Sequence, residues 1–398
     1  MNRRYKLAAF TSHPIQYQAP LFRILSAHPA VDLKVYFFTD IGVKRGFDNG
    51  FRIDLEWDIP LLEGYNYNFL QNLAPRSAPG FWTVCNRGIL RELIANEFDA
   101  VWVHGYGSLS ALLVIAAANL RRIPVMLRGE SNLRNFRPGW KRAIKQIALK
   151  GLFSRIGVFL SVGSLNEEYY RHYGVPHTSI FNVPYCVDNE FFQNRHHELL
   201  AHKEELKRRE GIAPGATVIL FASKMMPRKR AMDLLIAYHR IRGVTDATLV
   251  FVGDGAERPA LERYAMQNEL DTVRFTGFKN QTELPAYFAM ADVFVLPSEN
   301  EPWGLIINEA MNFELPIVTT NEVGAAPDLV RHGENGYMYT SGDVDALARI
   351  LLCIIRDEGL RKNMGKRSLE IINNWGFKED VHGIVSSLEY LRRCGRIS

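Results

Sequence analysis

Two α/β domains, each built on a parallel sheet covered by helices, are what this chain of 398 residues predicts. Three observations carry the prediction. Strand-like runs alternate with helical patterns from end to end, the arrangement that produces parallel sheets. Most runs are continuous Val, Ile, Leu and Phe rather than alternating, as expected for strands buried on both faces. The length suits two domains of ordinary size, and an apolar fraction of 47% gives each enough material for a core.

In the first half the strand candidates are residues 6–11, 33–39, 100–103, 124–127, 157–161 and 178–182. Helical patterns lie between them at 86–96, 108–120, 140–153 and 165–173. The second half repeats the scheme, with strands at 217–222, 248–252, 273–276, 293–296, 317–319 and 336–339. A connector at 182–191, a charge-dense helix at 196–209 and Ala213-Pro214-Gly215 mark the boundary. The expected division is a first domain over 1–190, a second over 191–375, and a closing helical segment over 376–398.

Several function classes are excluded. The first strand is not followed by Gly-x-Gly-x-x-Gly, and Val252-Gly253-Asp254-Gly255 lacks the full spacing, which argues against a nicotinamide dehydrogenase. A net charge of +5 without basic clusters on one face does not suit a nucleic-acid binder. Cys85, Cys186, Cys353 and Cys394 form no paired spacing, against a zinc site or disulfide framework and in favour of a reducing compartment. No apolar signal region follows the basic N-terminus, and the apolar stretch 109–120 is too short to span a bilayer. A cytoplasmic protein without a transmembrane anchor is expected.

The most informative stretch is Ser298-Glu299-Asn300-Glu301-Pro302-Trp303-Gly304-Leu305-Ile306-Ile307-Asn308-Glu309-Ala310. It follows a buried strand and places two carboxylates eight residues apart around a glycine that can open a helix. Glu301 then sits at the carboxyl end of a strand, where open α/β sheets bind ligands, and Glu309 on the next helix. At about 1.5 Å of rise per residue the carboxylates lie on the order of 10 Å apart. The N–H groups of Gly304, Leu305 and Ile306 would be the donors of the helix start, suited to an anion. A nucleotide-sugar, anionic in the middle with hydroxyls at both ends, fits this pattern. A second cluster, Lys224-Met225-Met226-Pro227-Arg228-Lys229-Arg230, puts four cations in seven residues after the first strand of the second half, enough to neutralise a diphosphate.

The run from Glu301 to Glu309, followed by Leu315-Pro316-Ile317-Val318-Thr319-Thr320-Asn321-Glu322-Val323-Gly324, resembles the donor site of family 4 (group 1) retaining glycosyltransferases. The resemblance is strong from about 221 to 339 and thinner in the first half. It implies the GT-B fold, with two Rossmann-like domains facing a central cleft, the first for the acceptor and the second for the donor. The closing helix is expected to cross back to the first domain. It implies a metal-independent hexosyltransferase that moves a sugar with retention from a UDP- or GDP-linked donor to a hydroxyl acceptor. No other cofactor is implied. The acceptor is expected to be a surface polysaccharide or a lipid-linked glycan.

In this resemblance the family's basic pair falls on Lys224 and Lys229, and Arg230 replaces a usual glycine. Lys for Arg keeps the charge and gives up the planar fork. Glu301, Lys224 and Lys229 take the catalytic roles. Glu309, Trp303, Gly304, Leu305, Ile306, Gly253, Phe278 and Lys279 take the donor-binding ones, Glu309 accepting from the ribose hydroxyls. On the acceptor side stand His13, Gln16 and Tyr17 after the first strand, His104 after the third, and Arg128 and Glu130 after the fourth. Residues 141–153 form a basic amphipathic helix. Its apolar face is expected on the sheet, and peripheral contact with the inner face of a membrane is the alternative. A nucleotide-sugar epimerase of the same fold and a non-catalytic nucleotide-sugar-binding scaffold are the rival functions.

Overall fold

The computed structural model describes residues 4–43, 45–73, 80–82, 84–134 and 139–397, with the side chains of residues 140–142 outside that description. In chain order the strands are β1 (Tyr5–Thr11), β2 (Val31–Phe37), β3 (Gly46–Asp48), β4 (Ile53–Leu55), β5 (Asn66–Phe69), β6 (Ala100–His104), β7 (Val125–Gly129) and β8 (Val158–Ser161). They continue with β9 (Ile180–Asn182), β10 (Thr217–Ala222), β11 (Ala247–Val252), β12 (Val273–Phe275), β13 (Val293–Leu296), β14 (Ile317–Thr320) and β15 (Gly336–Tyr339). The chain divides into two compact units. One holds Met1–Arg45, Pro60–Tyr185 and Phe377–Ser398; the other holds Gly46–Ile59 and Cys186–Gly376.

The first unit carries a parallel sheet in the order β5-β2-β1-β6-β7-β8-β9. β1 lies between β2 and β6, with Leu7 opposite both Leu33 and Ala100. Phe10, Tyr36, Val103, Leu127, Phe159, Tyr169 and Tyr170 pack one continuous core around it. Helix Phe377–Arg393 packs on β8 and β9 of this unit. The second unit carries the parallel order β12-β11-β10-β13-β14-β15, with the antiparallel ribbon β3-β4 beside it in the same unit. Ile219, Phe221, Leu249, Phe251, Val293, Val295 and Val318 form its core, packed by Leu234, Tyr238, Leu347 and Leu351 from covering helices. The two sheets are those of two Rossmann-like domains, and the α/β class read from the alternation stands.

Three features differ from the sequence reading. The charge-dense helix 196–209 is two helices, Asn189–Leu200 and Lys203–Arg209. Asp188 caps the first by accepting from the Phe191 N–H at 3.0 Å, which starts it earlier than its charge pattern suggests. The two halves serve different anchors: His196 rests against the Phe313 ring, while Lys203 reaches Asp292 at 2.8 Å and Lys207 donates to the Ala216 carbonyl. Strands β3, β4 and β5 were not anticipated. β3 and β4 have three residues each, and β5 is a fully exposed edge strand, Asn-Tyr-Asn-Phe, without an apolar run. Helix Gly139–Phe153 forms as expected but does not lay its whole apolar stripe on the core. Leu149 and Phe153 are buried, whereas Ile144 is 60% and Ile147 75% exposed. Lys145 turns inward over the Tyr169 ring at 5.1 Å; the side chains of Lys141 and Arg142 fall outside the described residues. Among the described residues no helix is long and apolar enough to cross a membrane.

Candidate functional site

In the second unit, β10 pairs with β11 on one side and β13 on the other, so the strand order reverses there. Loops that leave such a reversal diverge and open a crevice at the carboxyl ends of the strands. The loop after β10 carries the basic cluster and the loop after β13 carries Glu301. The sheet therefore brings together groups 72 residues apart: Lys229 Nζ donates to Glu301 Oε2 at 2.5 Å, and Arg228 Nη1 donates to the same oxygen at 2.8 Å. Lys229 is 7% and Glu301 8% exposed, so neither charge is left to bulk water. Burial pulls the Lys229 pKa below its ordinary value; the Glu301 carboxylate opposes this, and Arg228 and Lys224 add repulsion. The result is a concentration of positive charge anchored on one carboxylate.

Lys224, on the same loop, reaches Asp48 of the ribbon at 2.9 Å. Arg230, where the resembling family has glycine, adopts the left-handed conformation at φ 51°. That geometry favours glycine; here the guanidinium donates to Asp233 at 2.7 Å and to Glu299 at 2.9 Å, which offsets the strain. Gly253, after β11, needs its missing side chain as well as its φ of 125°, since a Cβ there would meet the Ser223 carbonyl oxygen at 2.0 Å. The loops after β10 and β11 thus touch backbone to backbone.

Glu309 lies on helix Ile306–Met311 and is 8% exposed. Its Oε2 has no hydrogen-bond partner among the described residues. Burial pushes its pKa up to about 8, only partly countered by Gln281. Gly304 precedes the helix with φ 96°, and its carbonyl accepts the Ile307 N–H at 2.9 Å, with Leu305 and Ile306 in the turn between. Trp303 is buried, donates from Nε1 to Asn308 at 3.1 Å and stacks on Trp375. Phe278 and Lys279 follow β12. The Phe278 ring meets Phe51 at 4.7 Å, and the Lys279 ammonium sits 5.4 Å from the Tyr287 ring.

In the first unit the reversal falls between β1 and β6, and their loops also meet. Gln18 Nε2 contacts the His104 ring at 3.2 Å, and His104 Nε2 contacts the Tyr185 hydroxyl at 3.1 Å. Burial, then Arg128, then His13 push the His104 pKa down to about 3, so this imidazole is neutral at ordinary pH. His13 shifts the same way through burial and pairs with the Ser12 hydroxyl at 2.9 Å. Tyr17 packs edge-on against Tyr185 at 5.8 Å, with Gln16 half-buried beside it. Burial and then exposed Glu130 raise the Tyr17 pKa. Arg128 is 2% exposed: Nη2 donates to the Val183 and Pro184 carbonyls at 3.0 and 2.7 Å and lies 3.5 Å from Asp380. Its guanidinium is 5.0 Å from the Tyr185 ring.

Sequence reasoning counted Arg228 among the four cations of the basic run but gave it no role of its own. It missed Asp48 and Phe51 altogether, because nothing local marks a carboxylate that meets its lysine across 176 residues. Among the described residues no group of three or more His, Cys, Asp and Glu could hold a metal ion.

Comparisons with known proteins bear on the second unit most. Residues 202–370 match the family model of the group 1 glycosyl transferases. N-acetyl-alpha-D-glucosaminyl L-malate synthase of Bacillus anthracis is 32% identical over 169 residues, which is 42% of this chain and 44% of that one. A GDP-mannose-dependent alpha-(1-6)-phosphatidylinositol monomannoside mannosyltransferase of Mycobacterium tuberculosis is 27% identical over 292 residues, 71% of this chain and 73% of that one. Among solved structures, Anabaena Alr3699/HepE in complex with UDP superposes with a TM-score of 0.74 at 18% identity, covering 98% of this chain and all of the other. The chain thus has the GT-B fold over its length, and its residues 202–370 are related in sequence to the group 1 glycosyl transferases.

Proposed function

We propose that the second unit binds a nucleoside-diphosphate sugar and that the chain transfers the sugar, with retention, to a hydroxyl acceptor. The observation that carries the reading is the buried Lys229–Glu301 pair, with the partly exposed Arg228 on the same carboxylate and Lys224 on the same loop. As the glycosidic bond breaks, negative charge collects on the departing diphosphate and positive charge on the anomeric carbon. Fixed cations in a water-poor site stabilise the first at little reorganisation cost. Glu301, held by those cations, is placed to accept from the sugar hydroxyls. Burial holds a proton on Glu309 in the free protein; its release as ribose hydroxyls bind would turn Oε2, which has no partner among the described residues, into their acceptor. A diphosphate oxygen takes the acceptor's proton, which leaves attack on the same face as departure. Gly304, Leu305, Ile306, Trp303, Gly253, Phe278 and Lys279 complete the donor side.

The acceptor is assigned to the first unit, to His13, Gln16, Tyr17, His104 and Glu130, with Arg128 acting through the carbonyls it holds. Aromatic rings beside neutral hydrogen-bonding groups suit a sugar. The mannosyltransferase relative, whose name gives a phosphatidylinositol mannoside, supports a glycan or lipid-linked acceptor. With a lipid-linked acceptor, exposed Ile144 and Ile147 would be the residues to meet an inner membrane face. One relative is named for GDP-mannose and one structural neighbour holds UDP, so experiment decides the base.

The test is a calorimetric titration with UDP, GDP and their sugar conjugates, followed by NMR of the anomeric proton in any product. Nucleotide binding, with the donor's anomeric configuration kept in a product, is the expected result. Interconversion of donor sugars without an acceptor, or no binding of any nucleotide, overturns the reading.

A further inference from the structure

The ribbon β3-β4 belongs to the second unit, and its contacts there fall on the proposed donor loops. Asp48 closes the ribbon's turn by accepting from the Gly50 and Phe51 N–H groups, both at 2.8 Å. The same carboxylate takes the Lys224 ammonium at 2.9 and 3.0 Å through its two oxygens. That ammonium also stands 4.7 Å from the Phe51 ring. Farther along, Phe51 and Trp57 lie against Phe278 at 4.7 and 6.5 Å, and the Glu56 carbonyl accepts from Asn280 Nδ2 at 2.7 Å. Asp58 accepts from the Thr282 N–H at 3.1 Å and from its hydroxyl. The ribbon therefore grips the loop after β10 by a charge and the segment after β12 by rings and hydrogen bonds.

The grip on Lys224 is of a displaceable kind. The lysine side chain is 34% and the Asp48 side chain 27% exposed, and ion pairs open to water contribute little. Burial pushes the Asp48 pKa up, but the Phe51 N–H, Lys224 and the Gly50 N–H outweigh it, so the carboxylate stays ionised at neutral pH. A diphosphate brings more charge and more acceptor oxygens than one carboxylate, and both are recognised by the same ammonium.

We infer that the Gly46–Ile59 ribbon is a strap over the donor site, in which Asp48 and the diphosphate of a nucleotide compete for Lys224. This rests on the nucleotide-sugar reading given above. Each nucleotide that binds breaks the Asp48 pair, so the carboxylate lowers the apparent affinity of every such ligand by the same factor. Phe51 loses its ammonium at the same moment, and the ribbon is held only by its outer contacts.

UDP and GDP are titrated into the full chain and into Asp48→Asn and Lys224→Ala variants. Asparagine keeps an acceptor oxygen for the Gly50 and Phe51 N–H groups, so the turn survives while the charge is removed. The expected result is tighter binding by Asp48→Asn, about three- to tenfold, and weaker binding by Lys224→Ala. In the wild type, added nucleotide is expected to speed tryptic cleavage after exposed Arg52, read by mass spectrometry. Should the wild type bind and Lys224→Ala bind less, while Asp48→Asn binds no tighter and nucleotide does not speed cleavage, the competition is overturned and the nucleotide reading survives. Should no nucleotide bind to any of the three proteins, the reading fails and takes the strap with it.

Discussion

Both units bury a cation against a carboxylate, Arg128 against Asp380 in the first and Lys229 against Glu301 in the second. The surroundings differ. Arg128 spends its hydrogen bonds on the Val183 and Pro184 carbonyls, at the end of the first unit's middle segment, and on Asp380 of helix Phe377–Arg393. It fastens two parts of the first unit that are separated in the chain by Cys186–Gly376 of the second. Lys229 shares its carboxylate with Arg228 and lies near Lys224, so like charges are crowded on one anion. Crowding of that sort is unfavourable for stability and suits a ligand that brings further negative charge. The first pair is a fastening, and the second is proposed as half of a binding site.

The sharpest way to break this contrast is to remove each cation. Taking one partner from a buried pair costs about 3–5 kcal/mol, so Arg128→Ala and Lys229→Ala should both lower the melting temperature. Lys229→Ala should fall at the lower end, because Arg228 still meets Glu301. The two should part in chemistry: Lys229→Ala is expected to lower sugar transfer about 100-fold or more. Arg128→Ala, assayed below its melting temperature, should leave nucleotide affinity unchanged. Equal loss of nucleotide affinity in the two variants would falsify the division.

A second contrast lies in pH. Glu309 has its pKa pushed up to about 8, above the ordinary 4.5, by burial. The folded protein keeps a proton that the unfolded chain releases, so this contribution is full below about 4.5 and lost as pH rises through 8. His104 works in the other direction, with a pKa pushed down from 6.5 to about 3 by burial, Arg128 and His13. The unfolded chain takes up a proton that the folded one refuses, so its contribution is full above 6.5 and lost as pH falls toward 3. Each is worth up to about 5 kcal/mol. Calorimetric scans from pH 4 to pH 9 should show Glu309→Gln flattening the alkaline limb and His104→Gln the acid limb. An unchanged alkaline limb in Glu309→Gln would mean that the carboxyl titrates normally.

The same contrast explains what was legible in the sequence. The sheet strands β10 to β15 are short apolar runs with turn residues at their ends, and Val293–Leu296 and Gly336–Tyr339 were readable residue for residue. Glu301 and Lys229 stood out because each sits in a dense local pattern directly after such a run. Their contact with each other was not in the pattern; the pairing of β10 with β13 makes it. In the first unit, Gln18, His104 and Tyr185 come from three distant segments with no shared spacing, so only His104 was given a site role beforehand. Asp48 lay beyond reach for a further reason: its strand has three residues, and its partner is reached through tertiary structure alone. Arg230 shows a residue whose departure from glycine was readable while its consequence, a left-handed backbone tied by two carboxylates, was not.

The smallest expected effects come from two glycines after strands of the two sheets. Gly253 combines φ 125° with a Ser223 oxygen 2.0 Å from where a Cβ would stand. Gly253→Ala must move the loop after β10 as well as strain its own backbone, and should cost more than about 2 kcal/mol. Because Ser223 adjoins Lys224, that movement should also weaken nucleotide binding. Gly105, after β6, has φ 79° with nothing within 4 Å of its added Cβ. Gly105→Ala bears the backbone term alone, about 1 kcal/mol. Denaturant melts of the two variants separate the cost of a close backbone approach from that of a left-handed backbone alone. A Gly253→Ala protein no less stable than Gly105→Ala would show that the loops after β10 and β11 give way easily, and would remove the close backbone approach as a constraint on the proposed donor site.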